Sequence, residues 1–514
     1  MRKAAALGLL LVLAGCGDDS ATGSGGNGGT AGNGGSGGSG GSGGMAGTGG
    51  SGGSAGMPDA AVYPDGPPPP PMQQLDPDIT GMIGNVNAGN ITSSLNSLVG
   101  FYTRNACSDQ TSTTQGIGAA RDWINAQFGA IGNGVHVMFD NFSETQCTNI
   151  NQKNVLAWFP GAHPHRIIVI GGHYDSRGDH ITATNGTEVA PGANDSGSQT
   201  AMLLEAARVM SGHPFDATIV FASFSGEEQG LFGSINLAMG YGQYPDFAGG
   251  TIEAMLDADI IGGDTAVNTD PSALQQFRLY SAGTPREVTG MANQSETGIS
   301  GTTDDTSPSR GIMRHIGYWG AGYVPNMLIL PHLREDRPGR GGDHEPFLDQ
   351  GIPGVRFIET NENFAVQHTP NDTVANMTPA YTARVTQVIV ATAASLARAP
   401  QAPQNASATG NAQSATLSWT APAVGTVDHY IVAARPVTEN FYHTRVMATG
   451  TSKTVTPADL GVSGTYFVSV AAVDAAGHES LFAYPEWRCD ATSCAVQAGS
   501  TNVTLRCAQT SCLP

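Results

Sequence analysis

The stretch that decides the fold reads Arg-Ile-Ile-Val-Ile-Gly-Gly-His-Tyr-Asp-Ser at residues 166–176, where an apolar run passes directly into polar side chains. The β-branched residues at 166–170 predict a buried strand. If the chain stays extended beyond them, His173 and Asp175 project from the same side, because side chains alternate along a strand. We therefore expect functional side chains to lie where this strand ends.

Apolar strands and amphipathic helices alternate on both sides of this stretch. Strands are predicted at residues 154–159, 166–170, 218–224, 252–256 and 354–358, and helices at residues 117–131, 198–210, 231–239 and 379–397. This alternation is typical of an α/β fold, a three-layer sandwich with a mixed, mostly parallel sheet, and we assign it to residues 79–399. Ligands of such sheets bind outside the carboxyl ends of the strands.

Side chains that suit a metal ion follow these strands or lie in turns rich in Gly and Pro. They are His173, Asp195, Glu227, Glu228, Asp257, Asp259 and His368. Each motif alone is common on protein surfaces, and Glu227 beside Glu228 costs repulsion unless a cation or a proton lies between them. Together, two histidines and at least three carboxylates form a ligand set suited to zinc. Five ligands, one of them shared, suit two metal ions about 3.5 to 4 Å apart.

The same segments, in this order, resemble the bacterial two-zinc aminopeptidase family, whose fold extends to the glutamate carboxypeptidases and the glutaminyl cyclases. The resemblance covers about residues 95–396. The matching segments are Gly-His-Tyr-Asp-Ser at 172–176, Pro-Gly-Ala-Asn-Asp-Ser-Gly at 191–197, Phe-Ser-Gly-Glu-Glu-Gln-Gly at 224–230, Asp-Ile-Ile-Gly at 259–262, Gly-Asp-His-Glu-Pro-Phe at 342–347 and His-Thr-Pro-Asn-Asp at 368–372. The resemblance implies a zinc exopeptidase type of α/β sandwich that holds two zinc ions per chain.

The resemblance also implies which residues hold the metal. One zinc would lie on His173 and Asp259. The other would lie on Glu228 and His368, and Asp195 would bridge the two ions.

Further roles follow from the same resemblance. It favours Asp259 over Asp257 as the ligand, because Ile-Ile-Gly follows Asp259 as Met-Ile-Gly follows the ligand in the family. Glu227 would be the general base, taking a proton from the water that zinc activates and returning it to the leaving amine. Asp175 would support His173, and Asp372 would do no more than shape its own loop.

The expected activity is that of an aminopeptidase acting on peptides with a free N-terminus, with a preference for a neutral, apolar first residue. The alternatives are a glutaminyl cyclase, a carboxypeptidase or dipeptidase on the same fold, and a non-catalytic binding lipoprotein. One departure from the family concerns the tyrosine that supports the oxyanion in several relatives. Gln367 and the arginine-rich stretch at residues 334–340 occupy the places where relatives carry it.

Residues 1–16 are typical of a bacterial lipoprotein signal, with a basic start, a short apolar run and Leu-Ala-Gly-Cys ending at Cys16, which would carry the lipid. An ordinary signal peptide is the alternative. Residues 17–78 predict a linker that is Gly-rich and then Pro-rich, because such compositions form flexible coil and stiff polyproline II helix. We therefore expect an exported chain at the outer membrane or cell surface, or released from the cell, with a lipid anchor as its one membrane contact.

Six further cysteines are expected to form disulfides, since an even number in an exported chain is typical of disulfides. Cys107 and Cys147 lie far from the others and are expected to pair with each other. The remaining four lie in a tail at residues 488–514 and are expected to pair among themselves. Zinc binding by these cysteines is the less favoured alternative, because of the export signal.

Residues 402–487 carry short alternating segments at the spacing of a β-sandwich and resemble a fibronectin type III domain. In this second, all-β domain, Trp419, Tyr430 and Tyr466 are predicted to be core residues. Its predicted role is that of a spacer or a docking surface.

The composition excludes two functional classes. The 514 residues include 23 Lys and Arg against 43 Asp and Glu, and the resulting net charge of −20 opposes nucleic-acid binding. No apolar run reaches the roughly 18 to 20 residues of a membrane-spanning helix, which excludes a polytopic membrane protein. We expect a monomer.

Overall fold

The computed structural model describes residues 75–147, 151–179, 182–283, 307–333, 336, 340–442 and 444–496. The predicted signal sequence with Cys16, nearly all of the predicted linker, and the tail cysteines Cys507 and Cys512 lie outside these ranges. The lipid anchor, the export of the chain and its monomeric state stay predictions.

A mixed sheet of eight strands forms the centre of the first domain, which is called the body below and precedes residue 400. Its strands are β1 (His136–Ser143), β2 (Asn151–Phe159), β3 (His163–His173), β4 (Ala217–Phe224), β5 (Thr251–Ala258), β6 (Gln276–Tyr280), β7 (Leu328–His332) and β8 (Gly354–Glu359). Their order in the sheet is β1-β2-β4-β3-β5-β8-β6-β7. The pairs β3–β4, β3–β5, β5–β8 and β6–β7 are parallel, whereas β1–β2, β2–β4 and β6–β8 are antiparallel. The prediction of a mixed, mostly parallel sheet is confirmed.

Helices cover both faces of this sheet. The helices of the body are α1 (Pro77–Gly84), α2 (Ala88–Val99), α3 (Gly116–Ile131), α4 (Gln199–Met210), α5 (Phe232–Gly240), α6 (Pro308–His315), α7 (Ala321–Tyr323), α8 (Glu345–Asp349) and α9 (Pro379–Arg398). Helices α3, α4 and α9 share one apolar core with one face of the sheet, while α5 and α8 pack on the other face. The body is therefore a three-layer sandwich, and no helix in the described part of the chain is long and apolar enough to cross a membrane.

The arrangement of the strands explains where polar residues gather. Strands β4, β3, β5 and β8 are neighbours and run parallel, so their carboxyl ends meet at one edge of the sheet. All eight residues of β4 are buried, which accounts for its uninterrupted apolar sequence. The segments after these four strands carry the side chains of the candidate site.

The C-terminal domain is a sandwich of two antiparallel sheets. Its elements are β9 (Gln404–Asn411), β10 (Ser414–Thr420), β11 (His429–Pro436), β12 (Thr444–Ala448), β13 (Ser452–Val455), α10 (Pro457–Leu460), β14 (Tyr466–Val473), β15 (Trp487–Cys489) and β16 (Cys494–Val496). The sheets have the orders β13-β10-β9 and β12-β11-β14-β15-β16. Trp419, Tyr430 and Tyr466 are buried in its core, as predicted.

Two disulfides are present among the described residues. Cys107 pairs with Cys147, which confirms the predicted pairing. Cys489 pairs with Cys494 and joins β15 to β16, as expected for cysteines of the tail.

The C-terminal domain packs directly on the body, on the side of α6 and α7. Arg314 of α6 donates from Nε to the Asn440 carbonyl at 2.7 Å, and its Nη1 lies 3.3 Å from Glu486 Oε2. The guanidinium of Arg445 lies 3.4 Å from the centre of the Tyr318 ring. The sequence predicts a spacer or a docking surface and does not predict this contact. The contact makes the C-terminal domain part of one packed unit with the body.

A pH-dependent contact also joins the N-terminal end of the body to this domain. His478 Nε2 lies 2.8 Å from Asp76 Oδ2, and His478 Nδ1 lies 2.8 Å from Asp474 Oδ2. Burial by itself lowers the pKa of His478, but the hydrogen bonds with Asp474 and Asp76 outweigh it and raise the pKa above its ordinary value of 6.5. The charged imidazole therefore stabilises the fold below pH 6.5, and this stability is lost as the pH rises through the raised pKa.

We expect His478→Gln to destabilise the protein by about 1 kcal/mol at pH 6 and by less at pH 9. Urea unfolding at the two pH values measures the difference. His429→Gln is the matched control, because the partner of His429, Asp428, has a side chain that is 60% exposed. Equal losses at both pH values for His478→Gln would contradict the assignment.

Candidate metal centre

The predicted ligands converge at the carboxyl edge of the sheet in two groups of three. In the first group, His173 Nε2 lies 3.4 Å from Asp195 Oδ1 and 3.6 Å from Asp259 Oδ1. His173 ends β3 and Asp259 directly follows β5, whereas Asp195 lies in the turn before α4. The donor atoms of the group lie within 4.8 Å of one another, close enough to hold one ion.

The second group shares Asp195 with the first. His368 Nε2 lies 3.1 Å from Asp195 Oδ2 and 3.4 Å from Glu228 Oε2. The donor atoms of this group also lie within 4.8 Å of one another. The two oxygens of Asp195 thus face different histidines, which is the orientation that a bridging carboxylate needs.

The chemistry of these donors fits a cation better than it fits the protein alone. Glu228 Oε1 is buried and accepts no hydrogen bond among the described residues, although an uncompensated buried charge is costly. Burial opposes the charge on His368, yet Glu228 and Asp195 outweigh it and raise the pKa of this imidazole to about 10. Two imidazoles and three carboxylates form the nitrogen and oxygen donor set that zinc accepts. The residues present therefore fit two zinc ions.

Asp195 is held from behind by two side chains of the loop that carries His368. Asp372 accepts hydrogen bonds from the backbone N–H groups of Asn194 at 2.9 Å and Asp195 at 3.0 Å. Gln367 donates from Nε2 to Asp195 Oδ2 at 2.9 Å. The expectation that Asp372 shapes only its own loop was too narrow, because its carboxylate also fixes the turn that presents Asp195.

Asp175 lies behind both groups. Its Oδ1 is 3.4 Å from His173 Nδ1, in agreement with the predicted supporting contact. Its two oxygens also accept hydrogen bonds from the backbone N–H groups of Glu227, at 3.3 Å, and Glu228, at 3.2 Å. A single buried carboxylate thus links the orientation of a histidine to the position of the glutamate pair.

Glu227 lies beside the ligands and belongs to neither group. Its side chain is buried, and burial raises its pKa well above the usual range. The nearby charges of Glu228 and Asp259 act in the same direction, whereas that of His173 opposes them. Its raised pKa and its place outside both groups distinguish Glu227 from the candidate ligands.

The structure distinguishes Asp257 from Asp259, the two aspartates that the sequence offers as alternative metal ligands. Asp259 joins the first group, whereas Asp257 faces His344, with Asp257 Oδ2 lying 3.3 Å from His344 Nδ1. Burial, with the charge of Asp259 beside it, raises the pKa of Asp257 to about 8. Asp259 therefore lies among the candidate ligands, and Asp257 does not belong to either group.

Sequence reasoning missed Arg356, which pairs with Asp259 Oδ2 and lies 3.3 Å from Asp336 Oδ2. The guanidinium holds one oxygen of Asp259 and leaves Oδ1 to face His173. Burial alone raises the pKa of Asp259, but the charge of Arg356 outweighs it and lowers the pKa. The signal was available, because an arginine within the apolar strand β8 requires a buried anionic partner.

The structure describes part of the arginine-rich stretch at residues 334–340, which occupies one of the places where relatives carry the tyrosine. Arg340 pairs with Glu362 and lies 3.5 Å from Asp336 Oδ2. Gln367 points its amide at Asp195. Arg334 and Arg337 lie outside the described residues.

Comparison with known proteins agrees with this geometry. Residues 154–311 and 331–393 match the profile of peptidase family M28, and residues 401–485 match the fibronectin type III domain. A probable zinc metalloprotease from Pyrenophora tritici-repentis is 33% identical over 389 residues, which cover 71% of this chain and 87% of that protein. The chain belongs to peptidase family M28. As an M28 member it is a zinc metallopeptidase with a C-terminal fibronectin type III domain.

A second M28 relative gives the same result. A probable zinc metalloprotease from Pyricularia oryzae is 35% identical over 401 residues, which cover 72% of this chain and 77% of that protein. Both organisms are fungi, so the bacterial branch named in the sequence resemblance is not confirmed.

Solved structures with a related fold share less with this M28 chain. The LapA aminopeptidase of Legionella pneumophila is 19% identical, with a TM-score of 0.46, over 63% of this chain and 78% of that one. A glutaminyl cyclase of Porphyromonas gingivalis is 18% identical, with a TM-score of 0.43, over 60% of this chain and 98% of that one. These likenesses carry no inference about the reaction of this chain.

Proposed function

We propose that this M28 zinc peptidase is an aminopeptidase that uses two zinc ions. His173 and Asp259 would hold one ion, Glu228 and His368 the other, and Asp195 would bridge them. The observation that carries the proposal is the pair of three-residue groups that share Asp195, with a buried carboxylate, Glu227, beside them.

When bound, the zinc ions would polarise the scissile carbonyl and lower the pKa of a bound water molecule to about 7. The residues of the chain then have separate tasks. The Glu227 carboxylate accepts the proton that the attacking water gives up and delivers it to the nitrogen of the leaving amine. Asp175 contacts both His173 and the backbone of the glutamate pair, and so fixes their positions relative to each other. Arg356 keeps Asp259 turned towards His173.

The charge of the site supports an exopeptidase that requires a free amino group. Glu227 is a buried carboxylate that belongs to neither ligand group and lies beside Glu228 and Asp259. A free amino group is able to bind a metal ion or to pair with this carboxylate, whereas a blocked N-terminus does neither. Peptides with a free N-terminus are therefore the proposed substrates, with a neutral, apolar first residue preferred.

A panel of aminoacyl and N-blocked peptide substrates tests the proposal, with and without a chelator. We expect hydrolysis of the free-amine substrates, loss of activity with the chelator, and recovery when zinc is returned to two ions per chain. Cleavage of blocked peptides would contradict the aminopeptidase assignment. Cyclisation of an N-terminal glutamine would indicate a glutaminyl cyclase, and release of C-terminal residues would indicate a carboxypeptidase.

A further inference from the structure

The turn that carries Glu227 and Glu228 is held from outside by the next residue, Gln229. The carbonyl of Gln229 accepts a hydrogen bond from Gln146 Nε2 at 2.5 Å. Its side-chain amide donates to the Ala183 carbonyl at 2.6 Å. Both ends of this buried glutamine are therefore fixed by other segments of the chain.

Gln146 is held through its backbone by Glu144, which also holds the adjacent half-cystine. The carboxylate of Glu144 accepts hydrogen bonds from the backbone N–H groups of Gln146 at 2.8 Å and Cys147 at 2.7 Å. Cys147 is bonded to Cys107 in the segment before α3. The disulfide thus fixes one side of the contact that reaches the Gln229 carbonyl.

The other side of the disulfide reaches the same turn through a second route. The backbone N–H of Cys107 donates to Asn105 Oδ1 at 2.9 Å. Asn105 Nδ2 donates to the Ala183 carbonyl at 2.9 Å, which is the carbonyl that Gln229 also contacts. Two hydrogen-bonded paths, one from each half-cystine, therefore meet at Gln229.

Asp175 also holds the glutamate pair. Its two oxygens accept hydrogen bonds from the backbone N–H groups of Glu227 at 3.3 Å and Glu228 at 3.2 Å. The bonds to Gln229 therefore give this turn a second anchor in addition to Asp175. A metal ligand and a general base both lose efficiency when they are displaced by a fraction of an ångström.

We propose that Gln146 and the Cys107–Cys147 disulfide are positioning elements for the metal site, which hold Glu228 in its ligand position and Glu227 in its base position. This inference rests on the proposed function for the role of Glu227, but its effect on zinc binding does not depend on the substrate. Activity then depends on the formation of this disulfide, whereas the Cys489–Cys494 disulfide joins β15 to β16, beyond the residues that match the fibronectin type III domain.

The first test removes the donor and leaves the disulfide intact. Gln146→Met keeps the length of the side chain and loses the hydrogen bond to Gln229, and Gln413→Met in the exposed β9–β10 turn is the matched control. Metal-free protein is titrated with zinc in competition with a chromophoric chelator. We expect Gln146→Met to weaken one of the two zinc-binding steps about tenfold and to lower kcat by a similar factor at nearly unchanged KM.

The second test removes each disulfide in turn. Cys107→Ala/Cys147→Ala is expected to reproduce the weakened zinc step, while Cys489→Ala/Cys494→Ala keeps both zinc affinities and loses thermal stability alone. Zinc affinities within twofold of wild type in Gln146→Met would overturn the inference, whatever the effect on melting temperature. The proposed function would be refuted if the wild-type protein bound two zinc ions yet cleaved none of the free-amine peptides. In that case the zinc titration would still decide whether Gln146 and the disulfide position the metal ligands.

Discussion

Glu227→Gln is expected to lower kcat by about a thousandfold while the protein keeps its zinc. Glutamine has nearly the same shape as glutamate but accepts no proton, and a positioned general base contributes about 10²- to 10⁴-fold to a rate. Glu227 belongs to neither ligand group, so its replacement leaves the donors of both groups in place. The measurement is kcat on a free-amine peptide, together with the zinc content of the purified variant.

The neighbouring glutamate provides a matched control for this prediction. Glu228→Gln makes the same chemical change one residue along the chain, at a side chain that faces His368 at 3.4 Å. It is expected to reduce zinc affinity, and added zinc is expected to restore part of its activity. If Glu227→Gln kept more than about a tenth of wild-type kcat, Glu227 would not be the base, because general-base catalysis supplies at least 10²-fold.

The centre of the fold could be predicted from the sequence because its strands are apolar throughout. Strands β3, β4 and β5 are buried on both faces, so their residues form continuous apolar runs, which are typical of buried parallel strands. The polar residues that follow these runs fall at one edge of a parallel sheet, so the sequence alone predicts that His173 and Asp259 lie near each other, as they do in the structure.

The remaining elements could not be predicted because tertiary contacts decide them. Strand β1 (His136–Ser143) is exposed or half-buried along most of its length, and its longest apolar run is only the three residues 137–139. Strand β6 (Gln276–Tyr280) carries Arg278, whose charge is neutralised by Glu362, a residue 84 positions away. The contact of Gln146 with Gln229 likewise joins residues 83 positions apart, and nothing in either local sequence indicates it.

The second large effect is expected at the boundary between the two domains, where Glu486 is shared by two arginines. Glu486 accepts hydrogen bonds from Arg435 at 2.8 and 3.1 Å and from the Tyr442 hydroxyl at 2.5 Å, and its Oε2 lies 3.3 Å from Arg314 of the catalytic body. Burial opposes the charge on Glu486, but Arg314 and Arg435 outweigh it and lower its pKa from 4.5 to about 2. Such a shift corresponds to about 3 kcal/mol of stability at neutral pH.

Glu486→Gln is therefore expected to lower the free energy of unfolding by about 3 to 5 kcal/mol at pH 7, since it removes the buried negative charge that Arg314 and Arg435 both contact. The sign of the pH dependence follows from the lowered pKa. The contribution of Glu486 to stability is complete above pH 4.5 and is lost as the pH falls towards about 2. The difference in the free energy of unfolding between wild type and variant therefore narrows over that range. Denaturant unfolding at pH 7 and pH 3 measures this difference.

Asp428→Asn is the control, because the side chain of Asp428 is 60% exposed beside His429 and its loss costs less than about 1 kcal/mol. If the two variants lost equal stability at pH 7, the shared glutamate would not hold the domains together, and the fibronectin type III domain would act as the spacer that its sequence indicates.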